Sequence, residues 1–213
     1  MATYNLFMSQ DLFCIIRDRR SIRKYQNKPV PQELVEGVLS AAGWAPSAHN
    51  AQPWRFVVLA DPQVKRRLAE AMAESWVADI AKDGLNIESE KFRFRVERFA
   101  TAPVLILACL TMDGMDKFSD EKRQKCERDL AMQSLAAALQ NMLLAAHAKG
   151  LGACWFCAPG FCKETVRNLL EIPGEVEPEA LIALGYPDEQ PPAQPRKALG
   201  DYTFKNKWGR KFS

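Results

Sequence analysis

The chain of 213 residues holds only two histidines, no G-x-G-x-x-G turn, no run approaching 18 apolar residues and a net charge of only +3. Each shortage removes a class of function. A nicotinamide site of the Rossmann type needs a glycine-rich turn between a strand and a helix, and Gly150-Leu151-Gly152 leads into a strand pattern instead. Without a long apolar run there is no candidate membrane-spanning helix, and no apolar leader precedes a cleavage site, so a cytoplasmic protein is expected. A charge of +3 is too small for a polyanion footprint, which would need a long basic stripe. Nucleic acid and membrane therefore drop out as partners, and a small-molecule substrate remains.

Six cysteines are present, at 14, 109, 126, 154, 157 and 162, mostly within apolar stretches of a chain with no export signal. Free buried thiols are the expectation. Cys154, Cys157 and Cys162 form a C-x-x-C-x-x-x-x-C pattern that raises a metal or redox module as an alternative. Residues three apart on a strand point to opposite faces, and no fourth thiol or nearby histidine completes a zinc set. His49 reads as a surface or packing residue, and His147, inside an apolar helix, as structural.

Hydrophobic periodicity alternates helix and strand along a single domain, residues 1–213. Helices are predicted over Gln10–Arg19, Pro31–Gly43 and Pro62 to about Ala78, and in part of the charged stretch from Ile80 to Ala100. A long one runs from near Ser119 to Gly150, and a short one over Cys162–Glu171. Strands are predicted over Phe56–Leu59, Val104–Leu110, Ala153–Cys157 and Ala180–Leu184; the second is apolar throughout, the pattern of a strand covered on both faces. In the long helix Met132, Leu135, Leu139 and Met142 recur at three- and four-residue intervals, while Gln133, Ser134, Gln140 and Asn141 interrupt it and need partners. Pro191, Pro192 and Pro195 open a tail, 190–213, whose Tyr202, Phe204, Trp208 and Phe212 make it too aromatic to stand in water. It is expected to pack on a second subunit, with folding back on its own chain as the alternative.

Arg19-Arg20-Ser21-Ile22-Arg23 sets three guanidiniums and a hydroxyl within five residues, a donor set suited to a dianionic phosphate. Pro46-Ser47-Ala48-His49-Asn50-Ala51-Gln52-Pro53-Trp54 offers the complementary chemistry, since Asn50 and Gln52 each donate and accept, as the edge of a flat heterocycle requires. Alone, the first segment reads as solvated charge at a helix C-terminus and the second as a turn. Together they reverse that order.

In these two segments, in Gly150-Leu151-Gly152-Ala153-Cys154-Trp155, in Leu181-Ile182-Ala183-Leu184-Gly185-Tyr186-Pro187 and in the tail with Arg196, the chain resembles the FMN-dependent nitroreductases over roughly residues 10–210. The resemblance implies an α+β fold, a mostly antiparallel central sheet flanked by helices, assembled as an intertwined homodimer. It implies an FMN-dependent oxidoreductase, with NADH or NADPH as donor and a nitroaromatic, quinone or enone as acceptor. Ping-pong kinetics follow, because donor and acceptor would share one flavin face. Arg19, Arg20, Ser21, Arg23 and Arg196 would hold the phosphate end, Pro46, Ser47 and Asn50 would come from the other subunit, and Gln52 would also bind the cofactor. Cys157, Ala158, Pro159 and Gly160 would lie toward flavin N5. Ala48 departs from the family's second serine. The Gly-Ala-Cys-Trp strand is also similar to the flavin domain of deazaflavin coenzyme glutamate ligases, so a reductase of that pathway is one alternative and a non-catalytic FMN carrier another.

Overall fold

In the computed structural model, which describes residues 6–212, strand β2 (Val104–Leu110) is the axis of the fold and all seven of its residues are buried. Period-two alternation sends Val104, Ile106, Ala108 and Leu110 into one core, and Leu105, Leu107 and Cys109 into another on the opposite face. β2 pairs with β1 (Trp54–Leu59) on one side and β4 (Glu177–Gly185) on the other, and β4 carries β3 (Gly152–Phe156). All three pairings are antiparallel, in the order β1-β2-β4-β3.

Helices α2 (Gln32–Gly43) and α5 (Glu121–Ala148) supply the first core, and α3 (Pro62–Lys82), α4 (Ser89–Ala100) and α7 (Lys163–Leu170) the second. The α+β expectation is what the chain adopts. Helix starts follow local chemistry: Asp61 accepts from the amides of Gln63 and Val64 at 2.7 and 3.2 Å ahead of α3, and Asp120 accepts from that of Arg123 at 2.9 Å ahead of α5. None of the described helices is long and apolar enough to cross a membrane.

β1 begins at Trp54 rather than Phe56, α3 runs on to Lys82, β3 spans Gly152–Phe156 rather than Ala153–Cys157, and three further features differ from the sequence reading. β4 begins at Glu177 rather than Ala180, because Pro178 lies where β2 is the strand's one neighbour, and the register slips there between Ala108 and Cys109. The chain turns once as α6 (Ala158–Phe161) between β3 and α7, a single turn too short to leave a period. The helix α1 (Leu6–Asp18) starts earlier than predicted.

Between α1 and α2 the segment 21–26 runs along the ends of β3 and β4. The Ile22 amide donates to the Ala153 carbonyl at 3.0 Å and the Gln26 amide to that of Tyr186 at 2.9 Å. Gly152 and Gly185, paired across β3 and β4, make this possible. A Cβ on Gly152 would stand 2.7 Å from Ile22 Cγ2, and one on Gly185 2.9 Å from the Tyr25 ring. The Tyr25 hydroxyl, 2.6 Å from the Ile22 carbonyl and 3.1 Å from that of Ala183, closes the arrangement.

Candidate active site

The arginine cluster lines a cavity of about 790 Å³. The segment after α1 brings Arg19, Arg20, Ser21 and Arg23 to it, α5 brings Gln140, and the tail returns as Pro191–Gln194 and Arg196. The five predicted phosphate residues are thus gathered in one place. They are not equivalent. Arg20 Nη1 donates to the carbonyls of Arg17 and Arg19 at 2.7 and 2.9 Å, capping the end of α1. Arg23 Nη1 donates to the Ser21 carbonyl at 3.3 Å. Arg19 Nη1 is buried and has no hydrogen-bond partner among the described residues.

Among the described residues no carboxylate forms an ion pair with Arg19, Arg20, Arg23 or Arg196. Burial, then Arg196 and Arg20 beside it, hold the Arg19 pKa below the ordinary arginine value. A desolvated cation among cations is a standing request for an anion. Glu189 fixes the frame of this cavity by accepting from the backbone amides of both Arg23 and Lys24, the latter at 3.1 Å.

A second hollow, of about 280 Å³, is mainly apolar. Met132, Leu135, Ala136 and Leu139 of α5 form one wall, and Trp155, Cys157, Gly160 and Phe161 another. Gln140 on the first cavity directly follows Leu139 on the second, so one face of α5 floors both. Trp155 carries the other orphan of the site, a buried indole Nε1 without a partner. Of the four residues expected near flavin N5, Cys157 and Gly160 reach this slot; Pro159 is buried, and Ala158 packs toward the α3/α4 core.

At the edge of the slot Glu179 joins a four-membered charge network. Arg128 Nη2 donates to Glu177 at 2.7 Å and to Glu179 at 2.9 Å, and Lys163 Nζ donates to both at 2.6 Å. The hydrogen bond from Arg128, assisted by Lys163, holds Glu177 down at about 2 against an ordinary 4.5. No spacing in the sequence announces this network, because its members come from three separate elements.

Pro46, Ser47, Asn50 and Gln52 lie on the opposite side of α5. The Ala48 amide donates to Ser134 Oγ at 3.1 Å, and His49 Nε2 lies 3.2 Å from Glu127 Oε2. At about 100° per residue, Glu127, Ala131, Ser134 and Ala138 make a stripe centred about 120° around the helix from the slot residues. Within one chain the two motifs therefore do not meet. The loop is strained: His49, Asn50 and Gln52 have φ of 55°, 51° and 48°. Ser47 helps hold it, its Oγ accepting from the Gln52 amide at 3.1 Å.

The polar residues that interrupt α5 separate by role: Ser134 holds the loop, Asn141 donates to the Ala41 carbonyl at 3.1 Å, Gln140 lines the cationic cavity, and Gln133 is exposed. The cysteines are all free. Cys109 and Cys154 are buried as expected, whereas Cys14, Cys126 and Cys157 are exposed, so burial of the thiols is only half the pattern. Cys154 lies within β3 and Cys157 beyond its end, on opposite sides of a burial boundary.

Comparison with known proteins agrees with this geometry. The model of the Nitroreductase family matches residues 16–186. A protein of Methanothermobacter thermautotrophicus named as an NADH dehydrogenase/NAD(P)H nitroreductase is 34% identical over 183 residues, 85% of this chain and 80% of its own length. Among solved structures, a BluB-like flavoprotein from Clostridium difficile 630 superposes with a TM-score of 0.74 at 26% identity, over 92% of this chain and 99% of that one. Iodotyrosine deiodinase bound to FMN and 3-iodo-L-tyrosine gives a TM-score of 0.67 at 25% identity, over 88% and 96%.

Proposed function

Because the chain belongs to the nitroreductase family and is an oxidoreductase of that flavin-dependent class, we propose that it binds FMN and passes hydride from NADH or NADPH to a nitroaromatic, quinone or enone acceptor. The observation that carries this reading is the buried Arg19, without a partner among the described residues, in a cationic cavity, with an apolar slot lined by the same helix α5. A phosphate at one end and a flat heterocycle at the other match that sequence of environments. Two unit charges about 4 Å apart attract by about 4 kcal/mol at an effective dielectric near 20, so two guanidiniums suffice to retain a phosphate without a covalent link. The fit therefore rests on groups already in place.

When bound, FMN supplies a ring that takes up and returns a hydride at N5. The chain supplies position and shelter. Arg19 and Arg196 hold the phosphate, with Ser21 and Arg23 beside them, while Arg20 does its main work in capping α1. Met132, Ala136 and Leu139 give the ring an apolar floor, Trp155 Nε1 offers it a donor, and Cys157 and Gly160 border its edge. Donor and acceptor use the same slot in turn, which gives ping-pong kinetics.

Pro46, Ser47, Asn50 and Gln52 of a second copy close the slot, since in their own chain they face away from it. The assembly is then a homodimer with two sites, and residues 190–213 form an arm that packs on the other copy. Six free thiols suit a reducing cytoplasm.

An absorption spectrum of the purified protein, with mass identification of the released chromophore, tests cofactor identity. Anaerobic NADH or NADPH should bleach the flavin band, and a nitroaromatic or quinone should restore it. Colourless protein that takes up no FMN at micromolar concentration would overturn the flavin site. Yellow protein bleached by neither donor would instead support a carrier of FMN.

A further inference from the structure

We propose that His49, Asp116 and Glu127 form a site for one divalent ion of the zinc class, which pins the 46–52 loop to the start of α5. One ligand atom from each of the three lies within 4.8 Å of the other two. Zinc bonds to imidazole nitrogen and carboxylate oxygen are about 2.0–2.2 Å, so two ligands of a tetrahedral ion stand about 3.3–3.6 Å apart. His49 Nε2 and Glu127 Oε2, at 3.2 Å, are already close to that separation. Little movement is needed to admit the ion.

The Glu127 side chain is only 8% exposed, yet among the described residues its hydrogen-bond partners are confined to the trio: His49, and the Asp116 backbone amide at 3.3 Å. No lysine or arginine among the described residues pairs with Glu127 or Asp116. An imidazole and two carboxylates brought together, with no lysine or arginine paired to them among the described residues, are ligand types that a divalent cation takes. A nitrogen and two oxygens form a borderline donor set that suits zinc and its neighbours rather than copper(I). His49 and Asp116 are both exposed, which leaves an entry path and room for water as a fourth ligand. No cysteine belongs to the group, so this site is separate from the C-x-x-C segment.

The consequence would be structural. An ion across the loop, the turn at Asp116 and α5 would stabilise the left-handed conformations of His49 and Asn50, and with them the direction in which Asn50 points.

The test is equilibrium dialysis of the full-length protein against micromolar zinc chloride, with zinc counted per chain in wild type, His49→Ala and Asp116→Asn. Both substitutions are at exposed positions, and the far-UV circular dichroism of each metal-free variant is compared with wild type before zinc is counted. The exposed thiols Cys14, Cys126 and Cys157 are common to all three proteins and cancel in the comparison. The expected result is one more zinc per chain in wild type than in either variant, and a melting temperature that EDTA lowers in wild type alone. Equal zinc counts in all three proteins, zero included, would overturn the proposal. Flavin occupancy, read separately by absorbance, is not part of that count, so the failure of either reading is told apart from failure of the other.

Discussion

A buried guanidinium with other guanidiniums around it and no carboxylate opposite is a cost to the folded chain until an anion arrives. Arg19 is in that position, and Arg20 is not, because Arg20 finds its partners in the carbonyls that end α1. Arg19→Ala is therefore expected to weaken FMN binding at least tenfold, about 1.4 kcal/mol or more, with no loss of stability in the flavin-free protein. Arg20→Ala is expected to cost the fold about 0.5–1.5 kcal/mol and to change flavin affinity less. Titration of the flavin-free protein with FMN by fluorescence, beside urea denaturation, separates the two; full flavin retention in Arg19→Ala would refute the assignment.

Glu177 makes a second claim at this scale. Its carboxyl titrates at about 2 in the folded chain against an ordinary 4.5, so the folded state prefers the charged form. The stabilisation is complete above about pH 4.5 and drains away as the pH falls toward 2. Glu177→Gln should lose about 1–2 kcal/mol at pH 7, a fall of roughly 2–8 °C in melting temperature. Below pH 4.5 the gap to wild type should shrink. A constant gap across that range, measured by denaturation at successive pH values, would show that the network is not what depresses the carboxyl.

At the scale of elements, the cationic cavity depends on how closely segment 21–26 lies on β3 and β4. Gly152→Ala would drive a methyl group into Ile22, which is itself buried. Overpacking of this kind costs about 1–3 kcal/mol. The variant should also bind FMN more weakly, since the strain falls on the residues between Arg20 and Arg23. Unchanged affinity would mean that the segment can shift without moving the cavity. A glycine pair in two separate motifs thus has one physical purpose, which is close approach of a third segment.

The strongly periodic elements were legible from residues alone. β2 has the limits the sequence predicts because a strand covered on both faces leaves an unbroken apolar run, and α5 comes within two residues of its predicted ends because its apolar positions recur over about four turns, from Ala131 to Ala146. α6 and the start of β4 were not legible, since one turn has no period and Pro178 argues against a strand until the neighbour on its open side is known to be missing. The site divides in the same way. Arg19, Ser21 and Arg23 stand within five residues of one another, so a motif announces them as candidates, and the structure adds Arg196 from the tail to the same cavity. The separate duty of Arg20, the pair of amides that Glu189 accepts from, and the Arg128–Lys163–Glu177–Glu179 network are products of tertiary packing. His49 reads from the sequence as a surface or packing residue; it is exposed and also touches Glu127, which brings in the carboxylates that a sequence could not place beside it.

At the scale of the whole molecule, Trp44, Phe161 and Trp208 are 85%, 84% and 90% exposed, and each belongs to a region assigned a role at the site or in the arm. Phe161 borders the slot, Trp44 precedes the strained loop, and Trp208 stacks on Phe204 in the tail at 4.6 Å between ring centroids. Large aromatic surface exposed at three places is the kind of surface that another protein covers, and a second copy of this chain is the occupant proposed for it. A second copy would cover this surface and bring the amide-rich loop to the open side of the slot, where its own chain cannot place it.

Subunit complementation tests that claim most directly. One chain carries Arg19→Ala with Arg23→Ala, the other Asn50→Ala with Gln52→Ala, and the two are co-expressed with different affinity tags and purified as the mixed dimer. If each flavin site takes its arginines from one chain and its loop from the other, one site of the two carries all the damage and the other none. The mixed dimer should then hold about one FMN per two chains and keep about half of wild-type NAD(P)H oxidation, while each variant alone is nearly colourless. A mixed dimer as empty of flavin as its parents would contradict the shared site.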